Sequence, residues 1–379
     1  AIASYLTFGS ISAPLSIIEG VEALPAGNYL TFQNGEVNIQ RYWCLSVSED
    51  KNLNETEIKE KIYKLLLESV RSRLLADVPV GAFLSGGVDS SAIVSLMREV
   101  TPGPIKTFSM TFREQEFSEG SFANVVAKEF RTEHTEYTVI PEEALSELEN
   151  IIWAMDQPTI DGMNTYFVSK LAHESGVSVA LSGIGGDELF GGYSSFRLIP
   201  KLQLASKMIH LLPGCKWIAG KVLGQWPMYN KAHKLEVFLR SDPTPEMGYL
   251  TVRRLFSDEE SKVLFPHLFG EKESLFEPVA YLREITGGRV SSVKNQISLM
   301  ELRAYMHNQL LRDTDVMSMA HSLEVRTPFL DHPLVEFLMR IPEAMKFGSV
   351  PKSLLLNSLG AKLPEVVTNR RKMGFTFPF

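Results

Sequence analysis

Val78-Pro-Val-Gly-Ala-Phe-Leu84 runs directly into Ser85-Gly-Gly-Val-Asp-Ser90, and a helical pattern follows from Ser91 to Val100. An apolar run of this length, ending in glycines that open a helix, reads as a strand, a tight loop and a helix. The loop's N–H groups and the helix N-terminus are free to face an anion. The glycines let the backbone approach a phosphate with no Cβ in the way. A simpler account is a strand-to-helix turn capped by Ser or Asp, but two glycines, an aspartate and two serines exceed what capping requires. The loop has neither the spacer nor the Gly-Lys-Ser/Thr ending of a Walker A loop, so its spacing does not suggest an NTPase that cleaves the γ-phosphate.

The same alternation continues outward. Ile105–Phe112, Thr135–Ile140 and Val177–Leu181 read as further strands, and Ser118–Phe130, Glu142–Met155 and Asn164–Ser175 as helices. This argues for an α/β fold with a parallel sheet covered on both faces by helices. Upstream, a helix is expected from about Thr56 to Ala76, with apolar positions Ile58, Ile62, Leu65, Leu66 and Val70. Residues 1–44 alternate short apolar runs, Tyr5–Phe8 among them, with Gly, Asn and Pro, and Asn34-Gly35 is a hairpin signal. They read as a β segment too small to stand alone, joined by a linker at 45–55. Residues 56–195 then form the α/β core. Beyond residue 196 helical periodicity dominates to about 345, so 196–379 is expected to be a mainly helical lobe.

The bulk composition excludes several classes. With 44% hydrophobic and 22% charged residues the chain is an ordinary globular one, and no apolar stretch reaches the length of a spanning helix. A formal charge of −7 argues against general affinity for nucleic acid. The two cysteines, Cys44 and Cys215, form no CxxC pair, which fits a reducing cytoplasmic setting. No secretion signal is visible. Ala1 in place of Met, and a final run Lys372–Phe379 without an evident terminal helix, read as cut ends.

Two further stretches carry chemistry. Leu181-Ser-Gly-Ile-Gly-Gly-Asp-Glu-Leu-Phe-Gly-Gly-Tyr193 again follows a strand, and places Asp187 and Glu188 in a glycine-rich loop. Mg²⁺ is held by one or two carboxylates plus substrate phosphates, so Asp89 with Asp187 forms a candidate metal pair. The alternative is a loop whose acids are solvated. Asp315-Val-Met-Ser-Met-Ala-His-Ser-Leu-Glu-Val-Arg-Thr-Pro-Phe-Leu-Asp331 shows a helix ending before a loop, where an ion pair of Arg326 with Glu324 or Asp331 is the plain explanation.

Ser85–Ser90 resembles the PP-loop, SGGxDS, of ATP pyrophosphatases, which cleave ATP between the α and β phosphates. Leu181–Tyr193 resembles the asparagine synthetase signature SGxGxDExFGGY, and Asp315–Asp331 matches that family's DxxSMAxSxExRxPFLD. Pro351-Lys-Ser-Leu-Leu-Leu356, Leu363-Pro364 and Arg370-Arg-Lys-Met-Gly-Phe375 match its closing motifs. The resemblance implies an adenine-nucleotide α-hydrolase type sheet, and ATP with Mg²⁺ as cofactors. ATP would be held by Phe83, Leu84, Ser85, Gly86, Gly87, Asp89, Ser90, Met110, Ser182 and Gly183, and the metal by Asp89 and Asp187. Lys352 falls at the family's catalytic lysine.

The implied reaction joins ammonia to an amino-acid carboxylate through an acyl-adenylate, aspartate to asparagine being the first expectation. The expected partners are these small molecules, without nucleic acid or membrane, and homodimerisation stays open. Residues 1–44 look like the tail of the family's glutaminase domain, and neither cysteine has the context of its amino-terminal nucleophile. Ammonia rather than glutamine is therefore expected to support synthesis. One departure bears on the acceptor: Ile184 stands where asparagine-forming members commonly carry Glu, and isoleucine can neither move a proton nor carry charge. Another carboxylate as acceptor, an orthophosphate-releasing ATPase and a non-catalytic remnant of the fold remain as alternatives.

Overall fold

The computed structural model describes residues 1–112, 119–211, 231–269, 276–288, 290 and 292–369. Cys215 and the Arg370–Phe375 motif lie outside the described residues. Two compact units are formed, one from residues 1–46, 157–160 and 193–309, the other from 47–156, 161–192 and 310–379.

In the first unit, α1 (Ile2–Phe8) takes the place of the strand expected at Tyr5–Phe8. Gly9, at φ 78°, closes the helix by donating its N–H to the Tyr5 carbonyl. The carbonyls of Leu6 and Thr7 accept from Phe256 and Leu255, so the exposed backbone of the helix end is satisfied by a distant segment that a local pattern does not reveal. The hairpin signal holds: β1 (Asn28–Gln33) pairs antiparallel with β2 (Glu36–Arg41) through Asn34-Gly35, both at positive φ. Among the described residues, most of the rest of this unit is helical, including Ser195–Leu211, Pro245–Arg253 and Val293–Met300. A π-helix, Glu301–Leu311, begins here, and its first residue is fully buried. The Glu301 carboxylate takes a bidentate bond from Arg253 at 3.3 and 2.8 Å and accepts from Ser195 Oγ at 2.7 Å. The Arg253 guanidinium stacks over the rings of Tyr193 and Tyr305, at 4.4 and 4.0 Å from their centroids.

The second unit is built on α2 (Glu55–Arg73) and a sheet. Asn54 caps α2 by accepting from Glu57 N at 2.9 Å, Glu55 and Glu57 lie in its first turn, and Arg71 and Arg73 in its last, all favourable to the helix dipole. Ile58, Ile62, Leu66 and Val70 form one buried stripe, each such side chain stabilising by about 1.5–3 kcal/mol. After it come β3 (Val80–Phe83), α3 (Val88–Val100), β4 (Lys106–Phe112), α4 (Gly120–Glu129), β5 (Glu133–Val139), α5 (Pro141–Ser146), α6 (Leu148–Ala154), α7 (Met163–Glu174), β6 (Val179–Leu181), α8 (Gly186–Phe190) and β7 (Glu324–Arg326).

The strands form a parallel sheet in the order β5-β4-β3-β6-β7. From β3 the chain first builds outward to β4 and β5, then returns to place β6 on the other side of β3. Crevices at such switch points, outside the carboxyl ends of the strands, are where parallel sheets receive ligands.

The division differs from the one expected from the sequence, an α/β core at 56–195 followed by a helical lobe at 196–379. Residues 310–369 return to the sheet unit, and β7 extends the sheet beside β6 within the stretch expected to be helical. A three-residue strand holding one apolar residue, Glu-Val-Arg, has no legible period; it is a strand because the edge of β6 offers it backbone partners.

Candidate active site

The loops after β3 and β6 leave neighbouring strands at the same level, Ala82 being paired with Leu181. In the first loop, Gly86 takes φ 70°, a left-handed conformation that suits glycine. The serine hydroxyls brace the turn: Gly87 N donates to Ser85 Oγ at 3.3 Å, and Ser90 Oγ donates to the Gly87 carbonyl at 3.2 Å. The helix α3 begins at Val88, three residues before the expected start, so Asp89 and Ser90 lie in its first turn, where backbone donors lack intrahelical partners.

The second loop packs directly onto the first. A Cβ on Gly183 would meet Ser90 N at 2.7 Å and the Asp89 side chain at 3.0 Å, and one on Gly186 would overlap the Asp89 carboxylate. These two positions are glycine because the first turn of α3 lies against them. Ser182 is buried, and its N–H donates to the Arg326 carbonyl of β7 at 2.8 Å.

Lys352 comes from a third segment, capping the helix Ser353–Leu359 with φ 58°. Its Nζ lies 2.5 Å from Asp89 Oδ2 and 2.6 Å from Asp187 Oδ1. The three side chains are only 11%, 14% and 19% exposed, so solvent screens these contacts weakly. Burial pulls the lysine pKa down, but the Asp89 and Asp187 carboxylates outweigh it and hold the ammonium above the usual lysine range. A Cβ on Gly192 would overlap Asp187 Oδ1 and approach Lys352 Cε at 2.5 Å, so the slot is closed on that side by backbone.

The expected nucleotide residues do not all line this slot. Phe83 ends β3 half-buried, Leu84 is buried, and the Met110 side chain is packed with Phe112, Val139, Tyr166, Phe167 and Met317 in a hydrophobic cluster. Glu188 is buried at 1% exposure, and Ile184 is half-buried, its N–H donating to Ser182 Oγ at 3.4 Å.

The Glu324-Val-Arg326 segment follows the plain reading, with Glu324, of the two acids expected, as the partner. Arg326 pairs with Glu324 at 2.7 Å, but Asp331 pairs with Arg73 at 3.1 Å instead. Arg326 Nη1 also donates to the carbonyls of Arg73 and Leu75, at 2.8 and 2.9 Å, closing the C-terminal end of α2. No local signal marks Arg73 or Ser69, whose Oγ donates to the Pro328 carbonyl at 2.7 Å, as parts of this joint.

A family described as "Asparagine synthase" matches residues 61–379. The chain belongs to the asparagine synthase family. Asparagine synthetase [glutamine-hydrolyzing] 1 of Bacillus subtilis is 32% identical over 395 residues, covering 100% of this chain and 59% of its own length. A putative asparagine synthetase [glutamine-hydrolyzing] of Mycobacterium bovis is 30% identical over 386 residues, covering 100% of this chain and 58% of its own. The amidase chry2 of Gibberella zeae is 27% identical over 369 residues, covering 87% of this chain and 53% of its own length. The chain thus spans 53–59% of the length of these relatives. Among the described residues, no helix is long and apolar enough to cross a membrane.

Proposed function

We propose that this chain activates a carboxylate with ATP and joins it to ammonia, releasing AMP and pyrophosphate, with aspartate as the acceptor and asparagine as the product. The observation that carries the reading is the meeting of Lys352, Asp89 and Asp187 at the switch point of the sheet, beside a glycine loop that opens α3. The backbone donors of residues 88–90, in the first turn of α3, suit the ATP phosphates, and Ser85 and Ser90 keep the loop in the shape that presents them by bonding the Gly87 N–H and carbonyl.

Asp89 and Asp187 fit Mg²⁺. They are hard oxygen donors that already enclose a cation, the Lys352 ammonium. Among the described residues no group of three or more His, Cys, Asp or Glu side chains could hold a metal, and a two-carboxylate site suits an ion whose other ligands are phosphate oxygens and water. Bound there, Mg²⁺ would offset the charge of the departing pyrophosphate. The acceptor carboxylate attacks the α-phosphorus and the bond between the α and β phosphates breaks. Ammonia then attacks the acyl carbon, AMP departs with the electrons of the acyl–oxygen bond, and the nitrogen gives up a proton to solvent. Lys352 stabilises negative charge in both steps, and its burial strengthens that effect.

Ile184 favours a second reading, in which the same chemistry serves a carboxylate other than aspartate. Its side chain is apolar and half-buried, in the loop that leads into α8, whose first turn carries Asp187. The test is incubation with ATP, Mg²⁺, ammonium and a panel of amino acids, with mass spectrometry for AMP and amide products. Asparagine with AMP supports the first reading, another amide supports the second, and orthophosphate with ADP refutes both.

A further inference from the structure

We infer that Lys352 and the divalent cation are alternative occupants of one slot, so that the lysine side chain is the counter-ion of the metal-free protein and must leave before a metal can bind. The inference rests on the reading of Asp89 and Asp187 as metal ligands.

The Lys352 ammonium touches one oxygen of each carboxylate, at 2.5 and 2.6 Å, which makes it the bridging cation between them. No second cation can share that position, because a dication within a few ångströms of an ammonium in a weakly screened site is strongly repelled. The walls leave little room for side-by-side binding: Gly186 backs onto the Asp89 carboxylate, and Gly192 onto both Asp187 and Lys352 Cε. The lysine is brought there by a left-handed backbone, φ 58°, that a non-glycine residue holds only where its surroundings over-determine it. Its N–H is also fixed, donating to the Phe190 carbonyl at 3.2 Å, so the exchange is a rotation of the side chain about an anchored Cα.

Two consequences follow. Without nucleotide the protein binds divalent ions weakly, because the ion must displace an internal competitor. With metal and phosphates in place, the ammonium is released from the carboxylates and becomes available to the phosphate oxygens. The same charge thus neutralises the site at rest and stabilises developing negative charge during reaction.

The test is Mn²⁺ binding followed by electron paramagnetic resonance in the absence of nucleotide, on the whole chain and on Lys352→Met. The variant should bind Mn²⁺ about tenfold tighter or more, and added Mg²⁺ should raise its melting temperature more than it raises that of the unaltered chain. Unchanged or weaker Mn²⁺ binding by Lys352→Met overturns the inference. Should the variant not fold in the absence of metal, restoration of folding by Mg²⁺ supports exchange and failure to restore it counts against it. In the unaltered chain, Mg²⁺ should increase the rate of acetylation of Lys352, read by mass spectrometry; a constant rate overturns the exchange. If Mn²⁺ binding behaves as expected but no pyrophosphate is released from ATP, the shared slot stands and the adenylation reading falls.

Discussion

Lys352 reaches Asp89 across 263 residues of sequence to place its ammonium 2.5 Å from the carboxylate. The glycine loop marks Asp89 in the sequence, whereas only a family motif marks Lys352. Together, with Asp187 on the other side, they give the sheet's switch point a charged centre whose members can be tested one at a time.

Asp187→Asn keeps the shape of the side chain and removes its charge. Mg²⁺-dependent pyrophosphate release should fall about 100-fold, while the melting temperature moves by less than about 4 °C, because Asp187 lies in the first turn of the short helix α8, outside the hydrophobic core, and Lys352 keeps its contact with Asp89. Pyrophosphate release equal to that of the unaltered chain would remove Asp187 from the metal site.

Lys352→Ala should lower kcat by about 100-fold or more and leave the KM for ATP within about threefold. A charge that meets the transition state acts on turnover, whereas one that merely anchors the nucleotide acts on KM. Steady-state kinetics with ATP varied at saturating ammonium decide between the two.

Arg326→Gln removes the donors that close the end of α2 at the Arg73 and Leu75 carbonyls. Urea unfolding should show a loss of about 1–3 kcal/mol. Arg326→Lys should restore only part of it, since one ammonium cannot reproduce the planar fork that also holds Glu324. Full recovery with lysine would mean that charge alone matters here.

In the other unit, Glu301 is fully buried against Arg253. Glu301→Ala leaves the guanidinium without its carboxylate and should cost about 3–5 kcal/mol in a urea titration. A loss below about 1 kcal/mol would show that stacking on Tyr193 and Tyr305 suffices to hold the arginine.

Lys346 supplies a pH test. Burial pushes its pKa down to about 7, only partly opposed by Glu49, against 10.5 for an ordinary lysine. Between about pH 7 and 10.5 the unfolded chain therefore binds more protons at this site than the folded one, and the site's contribution to stability rises with pH. Lys346→Met should stabilise the protein at pH 6–7, with the advantage shrinking by up to about 1.4 kcal/mol per pH unit toward pH 10. Urea midpoints across that range measure it, and a pH-independent difference would mean that the buried amine carries the same charge throughout.

The alternation of strand and helix was legible from Val80 to Leu181 because β3 and β6 are short apolar runs ahead of glycine loops and the intervening helices carry their own period. The Asn34-Gly35 hairpin was legible for a different reason: its two positive φ values are a local demand that few residue pairs meet. Strand β7 was not, since Glu324-Val-Arg326 owes its conformation to the edge of β6. Helix α1 was not legible either; its end is satisfied by Leu255 and Phe256.

By itself the sequence determined the glycine loops, the carboxylates they carry and the parallel sheet that presents them, because backbone conformation and strand burial are written in neighbouring residues. Only the tertiary structure decided that Lys352, Asp89 and Asp187 share one slot, that Gly186 and Gly192 form its walls, and that Asp331 pairs with Arg73 and not with Arg326. Those relations depend on which chain segments are packed side by side, and electrostatic attraction acts across space without regard to separation along the chain.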